Sequence, residues 1–120
     1  MIGEFKNSNF PGIPYGIHTD PNNGFTTIYT APAGKASYII QLDIASTGNT
    51  GVQISVRVVD ASAANSALLV KNAPVPVGSA IQIIDGQKVV LEEGDKLEVR
   101  CDTSGETVDA ICSLVEDVNG

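Results

Sequence analysis

Apolar and polar residues alternate most regularly over residues 36–45 and 52–60. In the first run Tyr38, Ile40, Leu42 and Ile44 share one face, with Gln41 and Asp43 on the other; in the second Val52, Ile54, Val56 and Val58 alternate with Gln53, Ser55 and Arg57. A period of two is that of a strand with one buried face. Gly48, Asn49 and Gly51 form the turn between them. Shorter runs follow at intervals of roughly 8 to 12 residues, the cadence of a sandwich or barrel. Residues 26–30 make an early strand, stopped by Ala31-Pro32-Ala33-Gly34. Residues 65–72, with Leu68, Leu69 and Val70 contiguous, fit a buried strand or a short helix. The stretch Ala73-Pro74-Val75-Pro76-Val77-Gly78 reads as an extended loop or an edge, because neither proline can donate to a ladder.

Asp85-Gly86, between the runs 79–84 and 87–91, predicts a tight two-residue hairpin, since both positions of such a turn need positive φ. Glu93-Gly94-Asp95 turns into residues 96–101, and Ser104-Gly105 leads into 107–116. Read as one hairpin, these last two strands place Cys101 opposite Val108, Arg100 opposite Asp109, and Cys112 opposite Leu97. The two sulfurs are then separated by about 13 Å along the ladder, beyond the reach of a disulfide. Two buried free thiols follow, which suits a reducing cytoplasm.

Each alternating strand offers one apolar stripe, so two sheets must pack face to face to hide them. The expected fold is all-β: an antiparallel β-sandwich, jelly-roll-like, of about eight strands over residues 26–120. Valine, isoleucine and threonine far outnumber leucine and methionine, in keeping with that class. Residues 1–25 carry Pro11, Pro14, Pro21 and several glycines and asparagines without a sustained period, and read as an irregular N-terminal arm.

All six aromatic residues, Phe5, Phe10, Tyr15, Phe25, Tyr29 and Tyr38, fall within the first 38 positions. The arm either folds back onto its own domain or uses Phe5, Phe10 and Tyr15 as partner-binding anchors, as large rings do at interface hot spots.

With 14 acidic against 7 basic side chains the net charge is −7, which disfavours nucleic acid and anionic membrane surfaces as partners. No run of about 18 apolar residues is present to span a bilayer. Most of the negative charge lies after residue 84, a solvated surface that favours solubility. Glu92, Glu93 and Asp95 are the nearest approach to a calcium site but lack a spaced ligand loop, and no metal or other cofactor is expected. The opening Met1-Ile2-Gly3-Glu4 puts an acid where a secretory signal needs a basic start and an apolar run, so export by that route is not expected.

Phosphate-binding glycine loops, a nucleophile elbow and paired zinc histidines are all missing from the sequence. The lone His18 has no nucleophile beside it, and catalysis is not expected. Sugar binding by a β-sandwich would need exposed aromatic rings. The sandwich offers only Tyr29 and Tyr38, the latter on the expected core face.

Two stretches carry a resemblance. Thr27-Ile28-Tyr29-Thr30-Ala31-Pro32-Ala33-Gly34-Lys35 resembles the opening of small β-sandwich structural proteins of tailed-phage virions. The stretch from Leu68-Leu69-Val70-Lys71 through Pro74-Val75-Pro76-Val77-Gly78-Ser79 and Asp85-Gly86-Gln87-Lys88-Val89-Val90-Leu91 to Gly94-Asp95-Lys96-Leu97 is similar to their later part. The resemblance implies a non-enzymatic virion component: a capsid decoration (cement) protein that binds the major capsid protein or another virion protein. Such proteins are often homo-oligomers, trimers in particular. It further implies synthesis in the host cytoplasm and residence in the virion. A tail, fibre or baseplate module, or a sugar-binding module for host adsorption, are the alternatives.

Overall fold

The structure, a computed structural model, describes residues 4–17 and 19–116, with the backbone alone at Glu4 and residues 85–88. His18 lies outside the described residues. The described residues form nine strands: β1 (Glu4–Asn7), β2 (Phe10–Pro14), β3 (Thr26–Thr30), β4 (Ser37–Ser46), β5 (Val52–Asp60), β6 (Asn65–Val75), β7 (Ala80–Leu91), β8 (Lys96–Cys101) and β9 (Thr107–Glu116). They build two antiparallel sheets, one in the order β1-β9-β4-β7 with β2 also paired to β9, the other in the order β3-β8-β5-β6. We call these the first and second sheets. The expected all-β sandwich is the observed architecture.

Ile13, Ile39, Leu42, Ile44 and Leu114 from the first sheet meet Ile54, Val56, Leu97 and Val99 from the second in a core from which water is excluded. Both cysteines sit in this core, unbridged. The alternation of β5 is as expected, with Val52, Ile54 and Val56 buried. In β4 the parity changes midway. Register shifts between Ile39 and Gln41 against both neighbours mark a bulge at Ile40. The extra residue flips every side chain before it. Ser37 and Ile39 therefore point inward with Leu42 and Ile44, and Tyr38 is turned away from the core face expected for it.

Most connections cross from one sheet to the other, and this overturns two expected hairpins. Residues flanking Asp85-Gly86 form one continuous strand, β7, running beside β4 from Ser37↔Leu91 to Ala45↔Ala80. Between Ile39↔Val89 and Gln41↔Asp85 the longer β7 side is taken up as a bulge, so the backbone freedom of that dipeptide serves a bulge instead of a reversal. The arms 96–101 and 107–116 likewise belong to opposite sheets. Arg100 does not meet Asp109; its Nε binds Asp102 Oδ1 at 2.6 Å, while Asp109 accepts the Gly12 N–H at 2.8 Å. The hairpin that does form joins β5 to β6, which lies at the sheet edge and tolerates Pro74 there.

The first residues are also more ordered than an irregular arm. β1 pairs with residues 113–116 of β9, and β2 pairs with 107–110 through a bulge at which Gly12 adopts φ 67°. Two prolines and a glycine hide the period of β2. An edge strand needs only alternate backbone donors, so the prolines are admitted. Beyond β2 the chain crosses to the second sheet, where residues 22–25 lie over its outer surface before β3 joins the sheet. Gly16 and Gly24 cinch that crossing: their backbones approach so closely that a Cβ on either would overlap the other.

Candidate interaction surfaces

The outer face of the first sheet carries an unusual row. Phe5 lies opposite Val115, Val115 opposite Tyr38, and Tyr38 opposite Val90. Directly opposed residues share a face, so the row crosses four strands, a span of about 14 Å at the usual strand spacing. Phe5 is 84% exposed and Val90 53%. Ile111, four residues before Val115 on β9 and therefore on the same face, is 49% exposed. Its cross-strand neighbour Asp43 accepts Gln41 Nε2 at 2.9 Å through Oδ2, while Oδ1 has no hydrogen-bond partner among the described residues. The surface thus combines an apolar row with an acceptor that has no hydrogen-bond partner among the described residues.

Of the three aromatic residues expected to act together, only Phe5 belongs to this row. Phe10 pairs with Ala110, five residues from Val115 and about 17 Å along β9, and its ring packs partly against the core. Tyr15, 39% exposed, forms an isolated parallel bridge to Cys101 on the other sheet. Val90, Val115 and Ile111 were invisible as surface residues in the sequence, because only the β4 bulge and the sheet partition reveal which parity faces outward.

A second, polar surface covers the outer face of the second sheet. Glu98 on β8 is 1% exposed although it points away from the core. Its Oε1 meets Arg57 Nε at 2.7 Å, and its Oε2 accepts Asn22 Nδ2 at 2.9 Å and Thr27 Oγ1 at 2.7 Å. Arg57 also donates from Nη2 to Asn22 Oδ1 at 2.8 Å, and its guanidinium carbon sits 4.2 Å from the Phe25 ring centroid. Arg100 lies 4.5 Å from the same ring and donates from Nη1 to the Asn23 carbonyl at 2.9 Å. Asn22 and Asn23 can make these contacts because both take left-handed φ values of 61° and 55°, a conformation asparagine tolerates. Ser55 Oγ completes the patch by donating to Asp102 Oδ2 at 2.6 Å. Between this cluster and β6 runs an open groove of about 650 Å³, lined by Phe25, Arg57, Leu68, Lys71, Asn72 and Arg100 among others.

A third polar cluster ties the sheets together. Glu116 on β9 takes Lys6 Nζ at 2.8 Å from β1 and the Tyr29 hydroxyl at 2.5 Å from β3, and Tyr29 also meets Ser37 at 2.7 Å. Burial and the Glu116 hydrogen bond push the Tyr29 phenol above its ordinary range. Bonds from Lys6 and Tyr29 hold the Glu116 carboxyl below its own. At Glu98 burial works against ionisation, but the bonds from Asn22, Thr27 and Arg57 together with the Arg57 charge outweigh it, and the carboxyl is again held low. Burial pushes the Cys112 thiol up to about 12 and raises that of Cys101 as well. Both stay protonated at neutral pH and are poor nucleophiles.

These shifts set the pH response. A carboxyl whose pKa is lowered on folding contributes stability that is complete above its unfolded value, about 4.3 for glutamate, and is lost as pH falls through the folded value. A phenol or thiol raised on folding contributes stability that is complete below its unfolded value and lost as pH rises above it, from about 8.5 for a thiol. The melting temperature should therefore be level between about pH 5 and 8 and fall on both sides. Differential scanning fluorimetry across pH checks this, and Glu98→Gln should flatten the acid limb.

Asp95, in the turn weighed as a calcium ligand set, spends Oδ1 on the Ala61 N–H at 3.0 Å and Oδ2 on the Glu92 N–H at 2.9 Å. It therefore serves as a brace between two turns. Among the described residues no group of three metal-ligating side chains is gathered, and no helix is long and apolar enough to cross a membrane.

No protein-family model matches the chain, and no curated protein matches it by sequence. Solved structures do. A pentameric capsid protein isolated from metagenomic phage sequences is similar over 95% of this chain and 65% of its own length, with a TM-score of 0.51 and 20% identity. A second structure under the same description gives 95% and 64% coverage, again with a TM-score of 0.51 and 20% identity. A weaker likeness, with a TM-score of 0.46 and 14% identity, is to the structure of infectious bursal disease virus Gt strain, over 97% of this chain and 30% of that one. The chain thus spans just under two thirds of the length of the phage capsid proteins, and what it shares with them is the fold.

Proposed function

We propose that this chain is a non-enzymatic structural component of a virus particle: a capsid decoration (cement) protein that docks on the assembled shell and stabilises it. It would be made in the host cytoplasm, reside in the virion, and act as a homo-oligomer against the major capsid protein. The observation that carries this reading is the apolar row Phe5, Val115, Tyr38 and Val90, laid across the first sheet and headed by a ring that is 84% exposed. Folded monomers hide such rows unless a partner covers them.

Support for a virion partner comes from the fold held in common with phage capsid proteins. The two strand orders also favour reading the sandwich as a jelly roll, an architecture used by viral capsid and lectin domains. The mechanism is mass action. A rigid block that binds the assembled lattice and not its separated subunits adds its binding free energy to the stability of the lattice. Because β1 and β2 are already paired to β9, little chain ordering opposes docking, which favours affinity.

Localisation in an electron-microscopy map of intact particles tests the reading. The expected result is density on the outer surface of the shell, with the β1-β9-β4-β7 face against it. Density confined to the tail, fibre or baseplate would replace it with the neighbouring virion role. Glycan binding by the isolated chain, with no particle density, would point to host adsorption.

A further inference from the structure

We infer that the groove on the outer face of the second sheet receives the Glu92-Glu93 turn of a second copy of this chain, forming the contact through which copies join head to tail. This rests on the homo-oligomeric part of the proposed function and supplies its surface. Three cations and no acid line the groove: Arg57, Lys71 and Arg100. Glu98 neutralises Arg57 from beneath, and Asp102 does so for Arg100. Lys71, on the bulged part of β6, is exposed and left over. Arg100 uses Nε on Asp102 and Nη1 on Asn23, which leaves Nη2 for another acceptor. Leu68, 51% exposed, adds an apolar wall. In a chain of net charge −7 this is a positive inlet waiting for carboxylates.

The same chain supplies them. Among the described acids after residue 84, Asp95, Glu98, Asp102, Asp109 and Glu116 already accept bonds from their own fold, and Glu106 is half-buried beside Gly48. Glu92 and Glu93 stand exposed on the turn between β7 and β8, their carboxylates uncommitted. Within one molecule that turn opens at the Lys96 end of β8, four residues or about 13 Å from Arg100, so it does not fill its own groove. Groove and turn are different patches of one surface, so their contact is heterologous. Such a contact joins copies into a ring where its rotation closes and into an open filament where it does not, whereas an isologous contact stops at a two-fold dimer.

Sedimentation velocity of the intact chain at about 0.05 M and 0.5 M salt tests the inference, since exposed charge pairs are screened at the higher value. Wild type should associate at least about tenfold more tightly at the lower salt, as complementary charges do. Lys71→Glu should weaken association about tenfold or more, and Glu92→Lys with Glu93→Lys should match it. Neither change touches a residue that supports the fold, and the melting temperature should hold. Combining the three reversals should restore association to within about threefold of wild type. If wild type assembles and no reversal moves it, or the combined variant stays as weak as its parents, the groove is not the contact and the proposed function is untouched. If Lys71→Glu weakens retention on particles and leaves self-association alone, the groove serves a shell protein and the inference falls. If wild type stays monomeric at every concentration, the inference and the homo-oligomeric reading fall together.

Discussion

Arg57→Ala should lower unfolding stability by about 3–5 kcal/mol, the usual cost of leaving one half of a buried ion pair without the other. Glu98 is 1% exposed and its side chain accepts bonds from Arg57, Asn22 and Thr27. Removing the guanidinium strands that carboxylate, uncovers Phe25, and frees the segment around Asn22 that the arginine holds onto the sheet. For a domain of this size the loss corresponds to a fall of roughly 10–20 °C in melting temperature. Replacing both partners, Arg57→Met with Glu98→Leu, should cost less than the single change, because no buried charge is then left unpaired. Chemical denaturation of the two variants separates these outcomes. Equal losses in both would mean that the pair's value lies in its hydrogen bonds to Asn22 and Thr27.

Phe5→Ala should do the opposite: leave the fold intact and weaken docking. The ring is 84% exposed, so its removal takes little from the folded chain, and the melting temperature should move by less than about 1 °C. At the centre of an interface such a ring is worth about 2 kcal/mol or more, a roughly 30-fold loss of affinity for particles in a co-sedimentation assay. Phe10→Ala is the internal control, since its partly buried ring packs on the core and its loss should cost stability. The sequence presented these two rings as equivalent members of one arm; strand pairing divides them, one to the surface and one to the core.

That division shows where the sequence was legible. Strand content, the sandwich and the buried face of β5 follow from a period of two that nothing interrupts between Val52 and Val56. Both thiols were expected to be buried and unbridged, and they are, although the hairpin used to argue it does not exist. What failed was non-local. A single bulged residue at Ile40 reversed the parity of the first half of β4, and no local pattern marks it, because Ile39 and Ile40 are equally apolar. Asp85-Gly86 carries the strongest hairpin signal in the chain, yet the pairing of β7 with β4 along its whole length prevails over local turn preference. β1 and β2 were missed because their order comes from backbone bonds to β9 and not from an apolar stripe of their own.

The polar cluster was hidden for a related reason. Arg57 was read correctly as pointing away from the core, and Glu98 and Arg100 showed no sign of being anything but solvated. Only the return of residues 22–25 across the outer face, beside Thr27 of β3, buries them. The charge asymmetry was visible from the start. Which of those acids are already bonded within the fold, and that Glu92 and Glu93 stand exposed, required the structure.

The central claim is that the chain holds an assembled shell together by binding it through the Phe5 row. Thermal disassembly of purified particles, stripped of the protein and then resupplied with wild type or with Phe5→Ala, tests that claim directly. The account predicts that wild type raises the disassembly temperature in a concentration-dependent manner and that Phe5→Ala at the same concentration does not, while separated shell subunits bind neither. Particles that disassemble at one temperature whether or not wild type is present, or separated subunits that bind it as tightly as the shell does, would contradict it.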